Sequence, residues 1–191
     1  MIVVDIDGTI ADNRHRQHLL KPVLDLDACR QIKCPYLQPD LLEPFCLKQA
    51  SCDKKHITQD QWDNFLNPEL ILQDGIIPYS QEVLATAVMY HDIVFLTGRN
   101  EKVRQATTIW LKDVFGVKMT ISLHMRTTTD HDQDYKRGVL SSIKLAHDMG
   151  SSLYAIDDDL TVADAYKEQG FKFFHAPGCW ENMYSVMGIF S

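Results

Sequence analysis

Apolar positions along this chain fall into short continuous runs separated by stretches of helical spacing. Ile2-Val3-Val4, Ile93-Val94-Phe95-Leu96, Leu153-Tyr154-Ala155-Ile156 and Phe171-Lys172-Phe173-Phe174-His175 are the runs, and they predict strands, the first of them buried. Val117 to His124 alternates and predicts a further strand. Between them lie amphipathic helices. One is opened by Pro78, runs to Met89 and buries Val83, Leu84, Ala87 and Val88. A second covers 101–115, turns Val103, Ala106, Trp110 and Val114 inward, and is ended by Gly116. A third starts near Lys136 and carries the stripe Val139, Leu140, Ile143 and Ala146. Strands alternating with helices predict an α/β fold, a mainly parallel sheet of about five strands with helices on both faces.

Residues 13–75 interrupt that alternation. Asp12 or Asn13 caps a helix reaching Leu20, and Pro22, Pro35, Pro39 and Pro44 then break the chain into short pieces. Thr58 caps a further helix with Trp62, Phe65 and Leu66 on one face, closed by Asn67-Pro68. The expected organisation is a single domain with a core at 1–12 and 76–176. A small helical insertion occupies 13–75, and a packing tail at 177–191 contains a structural Cys179.

Composition narrows the class. The chain has 191 residues, 45% hydrophobic and 24% charged, enough to bury a core. Net charge is −7 with Lys and Arg scattered, which counts against a long nucleic-acid footprint and leaves room for one terminal phosphate. No run approaches the ~20 apolar residues of a membrane span. No basic leader precedes the first strand, so the expected location is the cytoplasm, with reduced thiols. Cys29, Cys34, Cys46, Cys52 and His56 cluster in the insertion. A structural Zn²⁺ site is one reading, but the spacing lacks paired C-x2-C hooks, and small apolar packing is the stronger one.

The chemistry sits at the strand exits. The first strand ends in Asp5-Ile6-Asp7-Gly8, two carboxylates sharing one side of the C-terminal end, where ligands bind in parallel sheets. Like charges there repel, and a divalent cation such as Mg²⁺ with oxygen ligands relieves them. One carboxylate can then attack phosphorus, while the other acts as general acid and base. The bland alternative is a strand followed by a solvated turn. Leu96-Thr97-Gly98-Arg99 repeats the pattern with a hydroxyl, a glycine and a cation, Arg99 either binding phosphate or pairing with a carboxylate. Ile156-Asp157-Asp158-Asp159 ends a third strand in carboxylates, of which Asp159 serves equally as a helix cap.

Asp5-Ile6-Asp7-Gly8-Thr9-Ile10-Ala11 resembles the first motif of the haloacid dehalogenase (HAD) superfamily. Thr97, Lys136 and Asp157-Asp158 match its second, third and fourth motifs in order. Lys136 is preferred to Lys144 because it lies on the loop side of its helix. Within the superfamily the chain is similar to the phosphatase half of phage polynucleotide kinases and their small stand-alone relatives. The helix from Asp12 to His18, Trp62 and Phe65, Leu96 to Arg99, Trp110-Leu111, Met125-Arg126, the acidic loop before Lys136 and Ile156 to Asp158 carry that similarity.

The resemblance implies a HAD-like Rossmannoid fold in which the insertion is a cap that selects substrate. It implies Mg²⁺ held by the Asp5 side chain, the Asp7 backbone carbonyl and Asp158, with Asp157 bound through water or orienting Lys136. Asp5 would be the nucleophile and Asp7 the general acid and base. Thr97 and Lys136 would hold phosphate, with Gly98, Arg99, Arg14 and Arg126 as further phosphate or substrate contacts. The expected activity is a phosphomonoesterase acting through an aspartyl phosphate on nucleic-acid 3′-phosphate ends or nucleotides. The alternatives are a small metabolite or a phosphoprotein and, last, a binding module without catalysis. Asp159 stands where relatives often carry arginine, and no G-x-x-x-x-G-K-[ST] motif is present, so no kinase half is expected in this chain.

Overall fold

The computed structural model describes residues 1–24, 37–38, 45–46, 55–116, 120–127, 132–146 and 152–189. The chain divides into two compact units, Met1–His15 with Asn67–Ser191, and Arg16–Leu66.

The larger unit is built on a parallel sheet. Its strands are β1 (Ile2–Val4), β2 (Ile93–Asn100), β3 (Ser122–Arg126), β4 (Tyr154–Asp157) and β5 (Lys172–His175). They lie in the order β5-β4-β1-β2-β3, every neighbouring pair parallel. Among the described residues, five helices pack against it: α1 (Ser80–Ala87), α2 (Arg104–Phe115), α3 (Asp132–Ala146), α4 (Ala163–Glu168) and α5 (Gly178–Ile189). Alternate side chains of the apolar runs explain the layering, since a strand points successive residues to opposite faces. Ile2, Val4, Ile93, Phe95 and Ile156 share one core with Val83, Leu84, Trp110, Leu111, Val114 and Trp180 of α1, α2 and α5. Val3, Val94, Leu96 and Ala155 share the other with Leu140, Ile143, Ala165 and Tyr166 of α3 and α4. The result is the three-layer α/β fold expected from the sequence.

Several boundaries differ from the expectation. β2 continues past Thr97 to Asn100, with a register irregularity between those residues where it pairs with β3. β3 begins at Ser122 instead of Val117, and residues 117–119 lie outside the described residues. The helix expected over 101–115 opens as a 3₁₀ turn at Glu101–Val103, because the Asn100 side chain accepts from Lys102 N and caps it there. α1 starts at Ser80, since Tyr79 adopts φ 67° and Pro78 cannot be its first turn. Asn67-Pro68 closes one helix and also starts another, Pro68–Ile71, with the Asn67 side chain accepting from Glu69 N. The helix expected from Asp12 to Leu20 is confined to Arg14–Gln17.

In the smaller unit, Gln59–Phe65 is a helix with the capping box Thr58/Gln61, and Trp62 meets Phe65 edge-on at 5.8 Å. Arg16 is fully buried there, its guanidinium 4.0 Å from the Phe65 ring centroid and Nη1 donating to Phe65 O at 3.0 Å. Val23–Leu24 pairs antiparallel with Lys55–His56. Cys29, Cys34 and Cys52, and the side chain of Cys46, lie outside the described residues, so the zinc reading stays an expectation. No helix among the described residues is long and apolar enough to cross a membrane.

Candidate active site

The carboxylate-bearing ends of β1 and β4 are adjacent because these strands pair in parallel register, Val4 opposite Ile156. Asp5 N donates to Ile156 O at 2.9 Å, carrying the pairing one residue beyond β1. The chain then folds tightly, with the N–H groups of Thr9, Ile10 and Ala11 all reaching Ile6 O. Gly8 makes this possible. It adopts φ +78°, and a Cβ there would fall inside the van der Waals contact distance of the Asp158 carboxylate.

Thr9 ties the two strand exits together. Its hydroxyl lies 3.4 Å from Asp5 Oδ2 and 3.3 Å from Asp158 Oδ1, and accepts from Asp158 N at 3.0 Å. One hydroxyl proton serves one carboxylate at a time, so Thr9 alone cannot relieve both. Its carbonyl accepts from Trp180 Nε1 at 2.8 Å, which pins the loop to α5.

α3 brings Lys136 into the same place. Lys136 Nζ donates to Asp5 Oδ1 at 3.0 Å and to Asp157 Oδ2 at 2.7 Å, with all three side chains buried. Asp157 further accepts from Tyr166 Oη at 3.0 Å and from Asp159 N at 3.0 Å. Burial, followed by the charges of Asp157 and Asp5, holds the Tyr166 phenol well above its usual range, against the opposing effect of Lys136, so it remains a donor. Lys144, the competing lysine, instead donates to Gln169 O at 2.8 Å.

Asp5, Asp157 and Asp158 offer carboxylate oxygens that all lie within 4.8 Å of one another. Burial and then the charge of Asp157 push the Asp158 carboxyl above the ordinary aspartate value. A carboxylate so disfavoured, facing two others, is a donor set suited to a hard divalent cation. These residues fit the Mg²⁺ that the sequence led us to expect.

Asp7, the second carboxylate of the first motif, belongs to a different cluster. Arg99 grips it with two donors, Nε to Oδ2 at 2.8 Å and Nη2 to Oδ1 at 2.8 Å, and Asn13 Nδ2 adds a bond of 3.1 Å. Arg99 Nη2 also reaches Asp74 Oδ2 at 2.7 Å, and Nη1 reaches Thr107 Oγ1 at 3.4 Å. Burial opposes the charge on Arg99, but Asp7 and Asp74 outweigh it and raise the guanidinium above its usual value. Of the two readings of Arg99, the structure therefore has the carboxylate partner. Thr97 is fully buried below this group, and its hydroxyl accepts from Arg99 N at 3.2 Å. Gly98 lies between them on β2.

The remaining expected residues are placed as follows. The Arg14 side chain is 82% exposed and is bound to Asp12 through Nη2 at 2.5 Å. Arg126 is half-buried at the C-terminal end of β3, opposite Asn100. Asp159 caps the 3₁₀ turn at Leu160–Val162 by accepting from Thr161 N at 2.8 Å. The Cys179 thiol is pushed up to about 11 by burial and is a packing group.

Sequence reasoning missed Asn13, Asp74, Thr107 and Tyr166. Each is a common polar residue in a helix or turn, and only the tertiary fold brings it to a carboxylate. Thr9 was part of the quoted motif, but its bridging role had no sequence signal.

No protein-family model matches the sequence, and no curated protein matches it. Solved structures do. A haloacid dehalogenase-like hydrolase, SP0104 from Streptococcus pneumoniae, is similar with a TM-score of 0.55 at 15% identity, over 100% of this chain and 97% of that one. A chain in the structure of the Pnkp1/Rnl/Hen1 RNA repair complex is similar with a TM-score of 0.51 at 19% identity. There the match covers 92% of this chain but only 41% of the other, so the present chain spans less than half of that neighbour. At these identities the likeness shows the fold alone, a parallel α/β fold similar to that of the haloacid dehalogenase-like protein.

Proposed function

We propose that this protein is a Mg²⁺-dependent phosphomonoesterase with Asp5 as nucleophile and Asp7 as general acid and base. The observation that carries the reading is the convergence of Asp5, Lys136, Asp157 and Asp158 at the exits of β1 and β4, with Asp7 separately held by Arg99. Asp5 Oδ attacks phosphorus, the bond to the ester oxygen breaks, and Asp7 delivers a proton to that oxygen. The aspartyl phosphate is then attacked at phosphorus by water, which yields a proton to Asp7, and free Asp5 and inorganic phosphate result. Lys136 holds the nucleophile in place and offsets negative charge beside the phosphoryl group. Thr97, Gly98 and Arg126 remain phosphate or substrate contacts in this reading. Mg²⁺, held by Asp5, Asp158 and the Asp7 carbonyl with Asp157 supporting Lys136, supplies positive charge to the phosphoryl oxygens when bound.

As substrate we assign the 3′-phosphate end of a nucleic acid, or a nucleotide. The motif resemblance supports this, as does the similarity of fold to a chain of an RNA repair complex. A second reading, a small phosphorylated metabolite or a phosphoprotein, is supported by the net charge of −7 and the scattered basic residues. Mg²⁺-dependent phosphate release from a 3′-phosphorylated oligonucleotide, its 5′-phosphorylated twin, and 3′- and 5′-mononucleotides tests both. Preference for the 3′ oligonucleotide is the expected result. Release from small phosphates alone moves the substrate to the second reading, and no release from any phosphomonoester defeats the proposal.

A further inference from the structure

Asp74 takes no part in the chemistry above, yet its carboxylate is fully buried and lies 2.7 Å from Arg99 Nη2. That same nitrogen donates to Asp7, so one guanidinium joins two carboxylates. Stability gives little reason for the second one. Asp7 already pairs Arg99, and burying a further carboxylate costs more than an apolar residue of similar volume would. Asp74 is nonetheless firmly seated. Its backbone N–H donates to Ile71 O at 3.1 Å, its carbonyl accepts from Trp110 Nε1 at 2.8 Å, and His15 Nε2 stands 3.8 Å from its Oδ1. A guanidinium is planar and rigid, so contacts on one part of it set the direction of its other donors. Asp74 on Nη2 and Thr107 on Nη1 hold the plane whose Nε and Nη2 grip Asp7.

We propose that Asp74 is a positioning residue for the acid–base carboxylate: with Thr107 it fixes the plane of Arg99, and through Arg99 the rotamer of Asp7. The inference rests on the phosphomonoesterase reading, in which Asp7 protonates the leaving oxygen. That proton matters for an alkoxide leaving group and hardly at all for a stable phenolate. A misplaced Asp7 therefore slows one class of ester and spares the other.

The test compares kcat/KM for glycerol 2-phosphate and for p-nitrophenyl phosphate in the full chain, since this ratio reports transfer to Asp5, where the proton is donated. Asp74→Ala is expected to lose about 100-fold on the alkyl ester and no more than about 3-fold on the aryl ester. Asp74→Asn, which keeps an acceptor oxygen for Nη2, recovers most of that loss. Thr107→Val shows the same bias on a smaller scale, and decides the matter if Asp74→Ala does not fold. Equal losses on both esters, or no bias in Thr107→Val, overturn the inference. A crystal structure of either variant gives a readout without turnover, and an undisturbed Arg99–Asp7 fork also overturns it. If the unaltered protein releases phosphate from neither ester, the fork geometry in the variant crystal structure alone decides the positioning of Asp7, and the phosphomonoesterase reading is decided separately by the oligonucleotide and mononucleotide panel.

Discussion

Two carboxylates separated by a single residue, Asp5 and Asp7, are handled by the fold in opposite ways. Asp5 shares the Lys136 ammonium with Asp157, and Asp158 stands beside them with its carboxyl pushed up by burial and by Asp157. Lysine is a compact point charge on a flexible stem, and it leaves room for another cation. Asp7 is instead clasped through both oxygens by a guanidinium that is itself fixed by Asp74 and Thr107. The first cluster is built to accept positive charge from outside, and the second to hold one side chain in one orientation. That division matches the chemistry proposed for each, a nucleophile that works beside a metal and an acid–base group that must point at a particular oxygen.

Removing the proposed nucleophile is the most severe way to test the contrast. Asp5→Asn is isosteric and keeps an acceptor for Lys136, so folding should survive while turnover falls at least about 10⁴-fold. Turnover near that of the unaltered protein would reassign the nucleophile. Lys136→Met comes next. It strands Asp5 and Asp157 without the ammonium they share, and breaking a buried pair costs about 3–5 kcal/mol. Phosphate release should drop about 10²–10³-fold as the charge beside the phosphoryl group is lost. Urea unfolding with and without Mg²⁺ separates the two effects, and unchanged stability would show that Lys136 does not carry the cluster.

How much of this could be read from the sequence differs between the two clusters. The Asp5 side was legible. Short apolar runs place strand exits, and parallel pairing of β1 with β4 makes neighbours of motifs 149 residues apart, as the Thr9–Asp158 bond records. Lys136 could be chosen over Lys144 from helix position alone, since the two differ by about two turns. The Asp7 side was not legible. Asp74 closes the turn after a short helix, its N–H donating to Ile71 O, and Thr107 lies inside an amphipathic helix, where a polar residue reads as solvent-facing. What places them is the path of β2, which continues to Asn100 and carries Arg99 inward, whereas the sequence suggested a strand ending near Thr97. The boundary was missed because Thr-Gly reads as a strand exit, and tertiary pairing with β3 overrode it.

A third variant weighs the third carboxylate. Because the folded pKa of Asp158 lies above the ordinary value, ionising it opposes folding. Metal-free stability should therefore fall as pH rises from about 3.8 through the raised pKa, and stay reduced above it. Asp158→Asn removes that burden and keeps an acceptor for Thr9. At neutral pH the metal-free variant should melt higher than the unaltered protein. Mg²⁺ should raise the melting temperature of the unaltered protein and leave the variant nearly unmoved. A variant that melts lower, yet is still stabilised by Mg²⁺, would show that Asp158 is a structural partner of Thr9 and not a metal ligand.

The smallest effect is expected at Arg14, where the same comparison gives a third kind of cation. Arg99 is enclosed and bound on several donors, and Lys136 is enclosed and shared, whereas Arg14 projects into solvent and folds back on Asp12 two residues away. The bond to Asp12 raises the guanidinium further and lowers the Asp12 carboxyl, but a pair this exposed is screened by water and salt. Arg14→Ala should therefore leave the melting temperature unchanged within about 1 °C. Its effect on KM depends on whether a phosphorylated substrate can draw the side chain off Asp12. A substrate phosphate offers arginine a doubly charged, forked partner in place of a single carboxylate. If that exchange occurs, KM for a 3′-phosphorylated oligonucleotide should rise about 3-fold with kcat unchanged, the mark of uniform binding lost. The rise should fade as salt is added, because the contact lies outside the buried clusters. A KM that does not move at low salt would confine phosphate recognition to the strand exits, where Thr97 and Lys136 already stand.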